Sequence, residues 1–150
     1  METVYQIDVT DVVNRVKEKN LLFYPVIIHI FMKSFFATGH NNIKPAYLNA
    51  NQDGEFSFLS QEYTPDFEQF FNEYVKNCFY NNQSDCNLEN CILFSYVLPA
   101  KLNLADKQMP SIYILPLEEE GGRTYLSFCA QNAPVDEAFV SACIKHCDMF

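Results

Sequence analysis

A proton acceptor that works near neutral pH is most simply a histidine, and this chain of 150 residues has three: His29, His40 and His146. His29 lies inside an apolar stretch and reads first as a hydrogen-bonded core residue, though it is also the one imidazole placed to serve as a substitute base. His40 follows Gly39 in a polar segment, and His146 suits the partial negative charge at a helix C-terminus. Thiol chemistry would draw on six cysteines, Cys78, Cys86, Cys91, Cys129, Cys143 and Cys147. Cys91 and Cys129 sit in apolar stretches with no cationic sequence neighbour to lower a thiol pKa. Cys143-Ile144-Lys145-His146-Cys147 puts two sulfurs at i and i+4, but zinc normally takes four ligands from two separated pairs, and no second pair is present. Cys143 also falls in the helical series Val135, Ala138, Phe139, Ala142, Cys143, His146, which makes it a small core residue. The four glycines, Gly39, Gly54, Gly121 and Gly122, form no phosphate-cradling loop.

The elements that must position these groups alternate along the chain. Val4 to Val9 reads as a strand, and Thr10 is placed to cap a short helix carrying Val12, Val13 and Val16. Pro25 opens a helix to about Ala37 that is apolar nearly all round, hence buried, with Gly39 just beyond its end. Ala46–Ala50 and Glu55–Ser60 flank Asn51-Gln52-Asp53-Gly54, a hairpin signal. A helix from Pro65 to about Phe79, capped by Thr64, aligns Phe67, Phe70, Phe71, Tyr74, Val75, Cys78 and Phe79 in one stripe. Ile92–Leu98 is a continuous apolar strand, Ser111–Leu117 and Arg123–Gln131 make a hairpin about Gly121-Gly122, and a last helix starts near Pro134. Glu118-Glu119-Glu120 reads as a solvated turn. The pattern is α+β: a mixed sheet with helices packed on one side.

Composition bounds the rest. The chain is 49% hydrophobic, with 14 Phe, 9 Tyr and no Trp, ample for one domain spanning residues 1–150. A net charge of −9 with only 10 basic residues excludes nucleic acid and anionic membrane surfaces as partners. The first 20 residues carry no signal-peptide apolar region, and Leu21–Ile30 is too short to span a bilayer. A cytoplasmic protein with reduced cysteines is expected.

Three blocks carry a resemblance. Val4-Tyr5-Gln6-Ile7-Asp8-Val9-Thr10 leads through Val12–Asn20 to Phe23-Tyr24-Pro25-Val26-Ile27-Ile28-His29-Ile30. Glu55-Phe56-Ser57-Phe58-Leu59-Ser60 precedes the acidic helix start at Thr64-Pro65-Asp66. A third block runs from Asn90 through Leu98-Pro99 and Met109-Pro110 to Val140. In order and spacing these resemble chloramphenicol acetyltransferase, with its Ile-Asp-Ile-Thr strand, Phe-Tyr-Pro helix start and Thr-Phe-Ser segment.

The resemblance implies a two-layer acyltransferase sandwich, acetyl-CoA as cofactor where activity is retained, and a homotrimer with sites between neighbours. It implies a histidine as general base, in a pair of histidines followed shortly by Asp and Gly. With Leu126-Ser127 in register, Asn132 takes the histidine's place, Asp136 matches the Asp, and Glu137 replaces the Gly; aligned from Met109-Pro110, the place falls on Pro134. Neither placement supplies a base. The family's arginine partner for that Asp comes from an N-terminal segment that lies before the start of this chain. Leu98-Pro99 runs straight into Ala100-Lys101-Leu102-Asn103-Leu104 without the family's serine-containing oxyanion stretch, and a strand pair between Ala37 and Ala46 is shortened away. Phe23, Tyr24, Ile28 and Ser57 match positions that line the acceptor pocket. The expected function is thus a non-catalytic or severely impaired acetyltransferase-fold protein, a small-molecule-binding or oligomeric assembly module that requires no cofactor. The alternatives are an acetyl-CoA-dependent O-acetyltransferase acting on a hydroxyl-bearing molecule such as chloramphenicol, and a structural subunit paired with an active homologue.

Overall fold

Alternation in the strands and apolar stripes in the helices divide this molecule into a sheet and one helical layer. The computed structural model describes residues 3–50, 56–80, 88–97 and 109–150. In chain order the elements are β1 (Val4–Asp8), α1 (Thr10–Glu18), α2 (Phe23–Ala37), β2 (Lys44–Ala50), β3 (Phe56–Ser60), α3 (Phe67–Tyr80), β4 (Cys91–Ser95), β5 (Ser111–Ile114), β6 (Glu118–Glu120), β7 (Arg123–Gln131) and α4 (Glu137–Met149). The sheet runs β1-β7-β5-β4-β2-β3, with β6 pairing β7 to one side. β2, β4 and β5 are mutually parallel and the other pairings antiparallel.

One sheet face carries Ile7, Leu126, Phe128, Ile112, Ile114, Ile92, Phe94, Tyr47 and Leu59, and all four helices pack on it in a single core. The opposite face holds a smaller cluster of Ala46, Leu48, Cys91, Leu93 and Met109. Helices on one side of a mixed sheet are what the alternating pattern predicts.

Helix α2 lies at the centre of the helical layer. Ten of its residues are buried, from Pro25 through Phe35, because an all-round apolar surface leaves no face for water. Phe31 and Phe35 meet Phe139 of α4 at ring-centroid distances of 5.6 and 4.2 Å, and Phe31 meets Phe128 of β7 at 4.9 Å. Ser34, wholly buried, donates to the Ile30 carbonyl at 2.8 Å and so leaves no unmet hydroxyl. The helix ends in a left-handed turn at Gly39 (φ +93°), where His40 N–H donates to Phe35 O and Gly39 N–H to Phe36 O. Those two bonds satisfy its last carbonyls, and the glycine supplies the backbone angle.

Three helix starts use aspartates. At α1 the carboxylate of Asp8 accepts from Thr10 N–H at 2.9 Å and Thr10 Oγ at 2.6 Å, so Thr10 is the first helical residue and not the cap. At α3 the acceptor is Asp66, bonded by Glu68 and Gln69 N–H at 3.0 and 3.4 Å, while the expected cap, Thr64, receives only Asp66 N–H. At α4 Asp136 caps through Phe139 N–H at 2.9 Å. A carboxylate makes a stronger, charge-assisted bond to helix N–H groups than a hydroxyl does.

Phe79, expected in the α3 core stripe, is 67% exposed, and the polar Asn77 is buried instead. Asn77 is tolerated because its amide donates to Tyr47 Oη at 3.1 Å, Tyr47 donates to Gln61 Oε1, and Gln61 donates to Phe70 O at 3.1 Å. Glu118-Glu119-Glu120 is no turn but the exposed strand β6; the chain reverses at Gly121-Gly122, both at positive φ. The β2–β3 turn, Cys86, and the Leu98–Leu104 stretch lie outside the described residues. Among the described residues no helix is long and apolar enough to cross a membrane, and no group of His, Cys, Asp and Glu could hold a metal.

Phe139 fixes α4 to both α2 and β7, so truncating it empties a site with little freedom to collapse. Phe139→Ala is expected to lower unfolding free energy by about 3–5 kcal/mol in urea titrations with an unchanged m-value.

Candidate functional site

Tyr24 belongs to the first turn of α2, and that turn ends against β4: its hydroxyl donates to the Phe94 carbonyl. The ring is edge-on to Tyr74 of α3 (6.5 Å, 68°) and to Tyr96, just past β4 (5.5 Å, 84°). These residues, with Leu22, Leu48, Asn49, Cys78 and Phe79, line a groove of about 330 Å³. Among the described residues no charged side chain lines it. Burial pushes the Tyr24 phenol well above its ordinary range and raises Tyr74, Tyr96 and the Cys78 thiol as well. All four groups are neutral at pH 7, so the groove offers aromatic surface and hydroxyls but no proton acceptor of useful basicity. Leu22, Phe79 and Tyr96 at its mouth are exposed.

Ser57 lies at the edge of this region. It pairs with Asn49 across β2–β3 and donates to the Asn49 carbonyl at 3.2 Å, while the Asn49 amide donates to Cys78 O at 3.3 Å. Ile28 is wholly buried in the helical core, and Phe23 is half-buried and packs against the same core. Of the four positions read as pocket-lining, Tyr24 alone lines the groove, and Ser57 touches it through Asn49. Tyr74, Cys78 and Tyr96 were not singled out for it. The spacing of Tyr74 and Cys78 on α3 was visible but reads as core packing, and Tyr96 carries no local signal.

His29 lies on a different side of α2. It is 3% exposed, its Nε2–H donates to Thr64 O at 2.9 Å, and its ring is surrounded by Tyr63, Phe67 and Phe70 at 5.1–5.4 Å. Burial, with Lys33 adding to it, holds its pKa below the usual value. His146 accepts no proton easily either: burial, Lys33 and Lys145 lower its pKa, and its Nδ1–H donates to Ser34 Oγ at 3.1 Å. Cys143 and Cys147 face inward from α4, and burial pushes both thiols up to about 12.

Asn132 is an exposed residue at φ +53° directly after β7, and Asp136 caps α4 four residues on. Registration places them away from the groove. Gln131 pairs with Ser111, and Ser111 with Leu93, so Asn132 is level with Ile92 at the start of β4. Tyr96 lies four residues further along that strand (92 to 96), about 13 Å at 3.3 Å per residue, and β4 lies two strand spacings from β7, about 10 Å. Within one chain the two halves of the anticipated site are level with opposite ends of β4.

This architecture has known counterparts. No family model matches the chain, and no curated relative matches it. Among solved structures, it is similar to chloramphenicol acetyltransferase (TM-score 0.73, 11% identity, covering 99% of this chain and 86% of that one). It is also similar to a probable dihydrolipoamide acetyltransferase from Listeria monocytogenes 4b F2365 (TM-score 0.69, 11% identity, 99% and 84%). A further match is a structure described as the molecular basis for condensation domain-mediated chain release from the enacyloxin polyketide synthase (TM-score 0.53, 10% identity, 97% and 40%). The fold is therefore that of the chloramphenicol acetyltransferase-like acyltransferases, as the sequence blocks imply.

Because His29 is held below its unfolded pKa of about 6.5, the unfolded chain binds a proton first as pH falls. Stability is thus full above that value and declines as pH drops through and below it. His29→Phe is expected to flatten the slope between about pH 6.5 and 5 in denaturation series; an equal slope would assign it to other groups.

Proposed function

We propose that this chain is an acetyltransferase-fold protein that performs no acetyl transfer by itself. On this reading it is a binding module that takes a small uncharged molecule into the tyrosine-lined groove and assembles with neighbouring chains. The observation that carries the reading is Asn132, at the place where the family resemblance puts the general base. A carboxamide cannot accept and return a proton near neutral pH, and a positioned base is worth roughly 10²- to 10⁴-fold in rate. Among the described residues that line the groove there is no replacement, since the phenols and the thiol are held neutral.

Assembly follows from the separation of Tyr24 and Asn132. A site built from both needs two chains, with the groove of one meeting the β7–α4 loop of the next, and the trimer implied by the resemblance supplies that arrangement. The same geometry supports a second reading: paired with an active homologue, this chain's groove would be served by the neighbour's histidine. Acetyl-CoA would be needed only in such a mixed assembly.

Chromatographic detection of acetylated product from acetyl-CoA and chloramphenicol is expected to show no turnover above the uncatalysed rate. Turnover that His29→Ala abolishes would overturn the proposal in favour of an O-acetyltransferase. Binding is read separately: a small aromatic alcohol at 100 times its dissociation constant should stabilise the protein by about 2.7 kcal/mol, and Tyr24→Ala should remove that gain. Light scattering distinguishes trimer from monomer.

A further inference from the structure

The outer edge of β1 is built to accept another strand. β1 ends the sheet, and no strand pairs with its far side among the described residues. Its free polar groups can be identified from the ladder. Val9 N–H donates to Thr124 O, and Ser127 O is taken by Leu115 on the β5 side. With the β1–β7 register running Tyr5↔Phe128 and Ile7↔Leu126, the odd residues of β1 make the bonds to β7. The N–H and C=O groups of Val4 and Gln6 therefore point outward, along an edge where Val4 is 58% exposed and Ile144 of α4 46% exposed.

Beside this edge, between β1, α1 and α4, lies a hollow of about 180 Å³. Its buried lining is apolar, from Ile7, Val12 and Cys147; Gln6 and Ile144 flank it, and the charged groups around it are Asp8, Asp11, Asp148 and Arg123. Arg123 neutralises Asp8 at 2.8 Å, and neither Asp11 nor Asp148 makes an ion pair among the described residues. A side chain with an aliphatic stem and a cationic head, projecting from a strand added next to Ile7, would lay its stem on that lining and its charge between those two carboxylates.

We infer that the β1 edge docks an extended, basic segment of a partner protein by strand addition, with a Lys or Arg seated in the Asp11–Asp148 hollow. The chain's net charge of −9 favours such a partner at long range. It disfavours a second copy of this chain: pairing β1 with β1 would bring the Asp11 and Asp148 pairs of both copies together. The surface is separate from the tyrosine groove, and the inference does not rest on the proposed function.

The test uses the full chain and a ten-residue peptide of alternating Thr and Val with one central Lys, beside the same peptide carrying Glu. The expected result is millimolar or tighter binding of the Lys peptide, with amide exchange at Val4 and Gln6 slowed at least tenfold. The Glu peptide should bind at least tenfold more weakly, and 0.5 M salt should reduce the difference. Gln6→Pro removes one outward N–H and no backbone bond to β7, though it also removes the 3.4 Å bond from Gln6 Nε2 to Ser127 Oγ; it should abolish binding, and Gln6→Ala, which removes that side-chain bond alone, should leave binding in place. If the proline variant fails to fold, Asp11→Lys with Asp148→Lys should still reverse the preference between the peptides. Equal binding of both peptides, unprotected Val4 and Gln6 amides, or β1-mediated dimers in light scattering would each overturn the inference.

Discussion

Everything in this molecule is referred to the burial of α2. A helix with no polar face is stable only if it is surrounded, and here the sheet, α3 and α4 surround it. The Phe31–Phe35–Phe139–Phe128 cluster joins those layers through ring contacts of 4.2–6.5 Å, each adding modestly to the area it buries. Once α2 is fixed, its two ends are fixed also. The first turn puts Tyr24 against the Phe94 carbonyl, and the Gly39 turn starts the chain toward β2. The groove is thus a by-product of the packing that holds the core, which makes Tyr24 a residue with both a structural and a site role.

The same burial explains why the histidines do not compensate for one another. His29 and His146 face neighbours of α2 and α4 rather than the groove, each with one ring nitrogen engaged and each disfavoured as a cation by desolvation and Lys33. A buried imidazole with a carbonyl partner contributes to order in the core, and moving it to the groove would require rotating a helix that is enclosed on every side. The loop after β7 is exposed at Asn132, which holds a positive φ, while Ala133 and Val135 pack against the core and Asp136 caps α4.

Much of the architecture was legible in sequence because it rests on periodicity. The all-apolar run of α2, the 3.6-residue stripe of α3, the β2 and β3 runs on either side of Asn51–Gly54, and the helix after Pro134 are local patterns with local consequences. What was not legible depended on choices between neighbours or on tertiary partners. Thr10 and Thr64 are not the caps because the helices start elsewhere: α1 begins at Thr10, whose own N–H and hydroxyl are taken by Asp8, and α3 begins at Phe67, where Asp66 is the residue in reach of the Glu68 and Gln69 N–H groups. Asn77 reads as a surface residue until Tyr47 and Gln61, from other elements, are brought to it. The groove shows the limit most clearly: Tyr24, Tyr74 and Tyr96 come from α2, α3 and the end of β4, and no spacing in the chain relates them. Ile28 lies four residues from Tyr24, a separation that puts two positions on one helix face, yet it is enclosed by core where Tyr24 reaches β4.

A loop position can lose its chemistry without disturbing the fold, and the stability of this chain bears on that point. The segment from Asn132 to Asp136 contributes the Asp136 cap and the packing of Ala133 and Val135 against the core, while Asn132 itself is exposed. Tyr24, by contrast, is tied to β4 by its hydroxyl and to two further rings by contact, so its loss would be felt in folding as well as in binding. Packing therefore maintains the groove whether or not any reaction occurs.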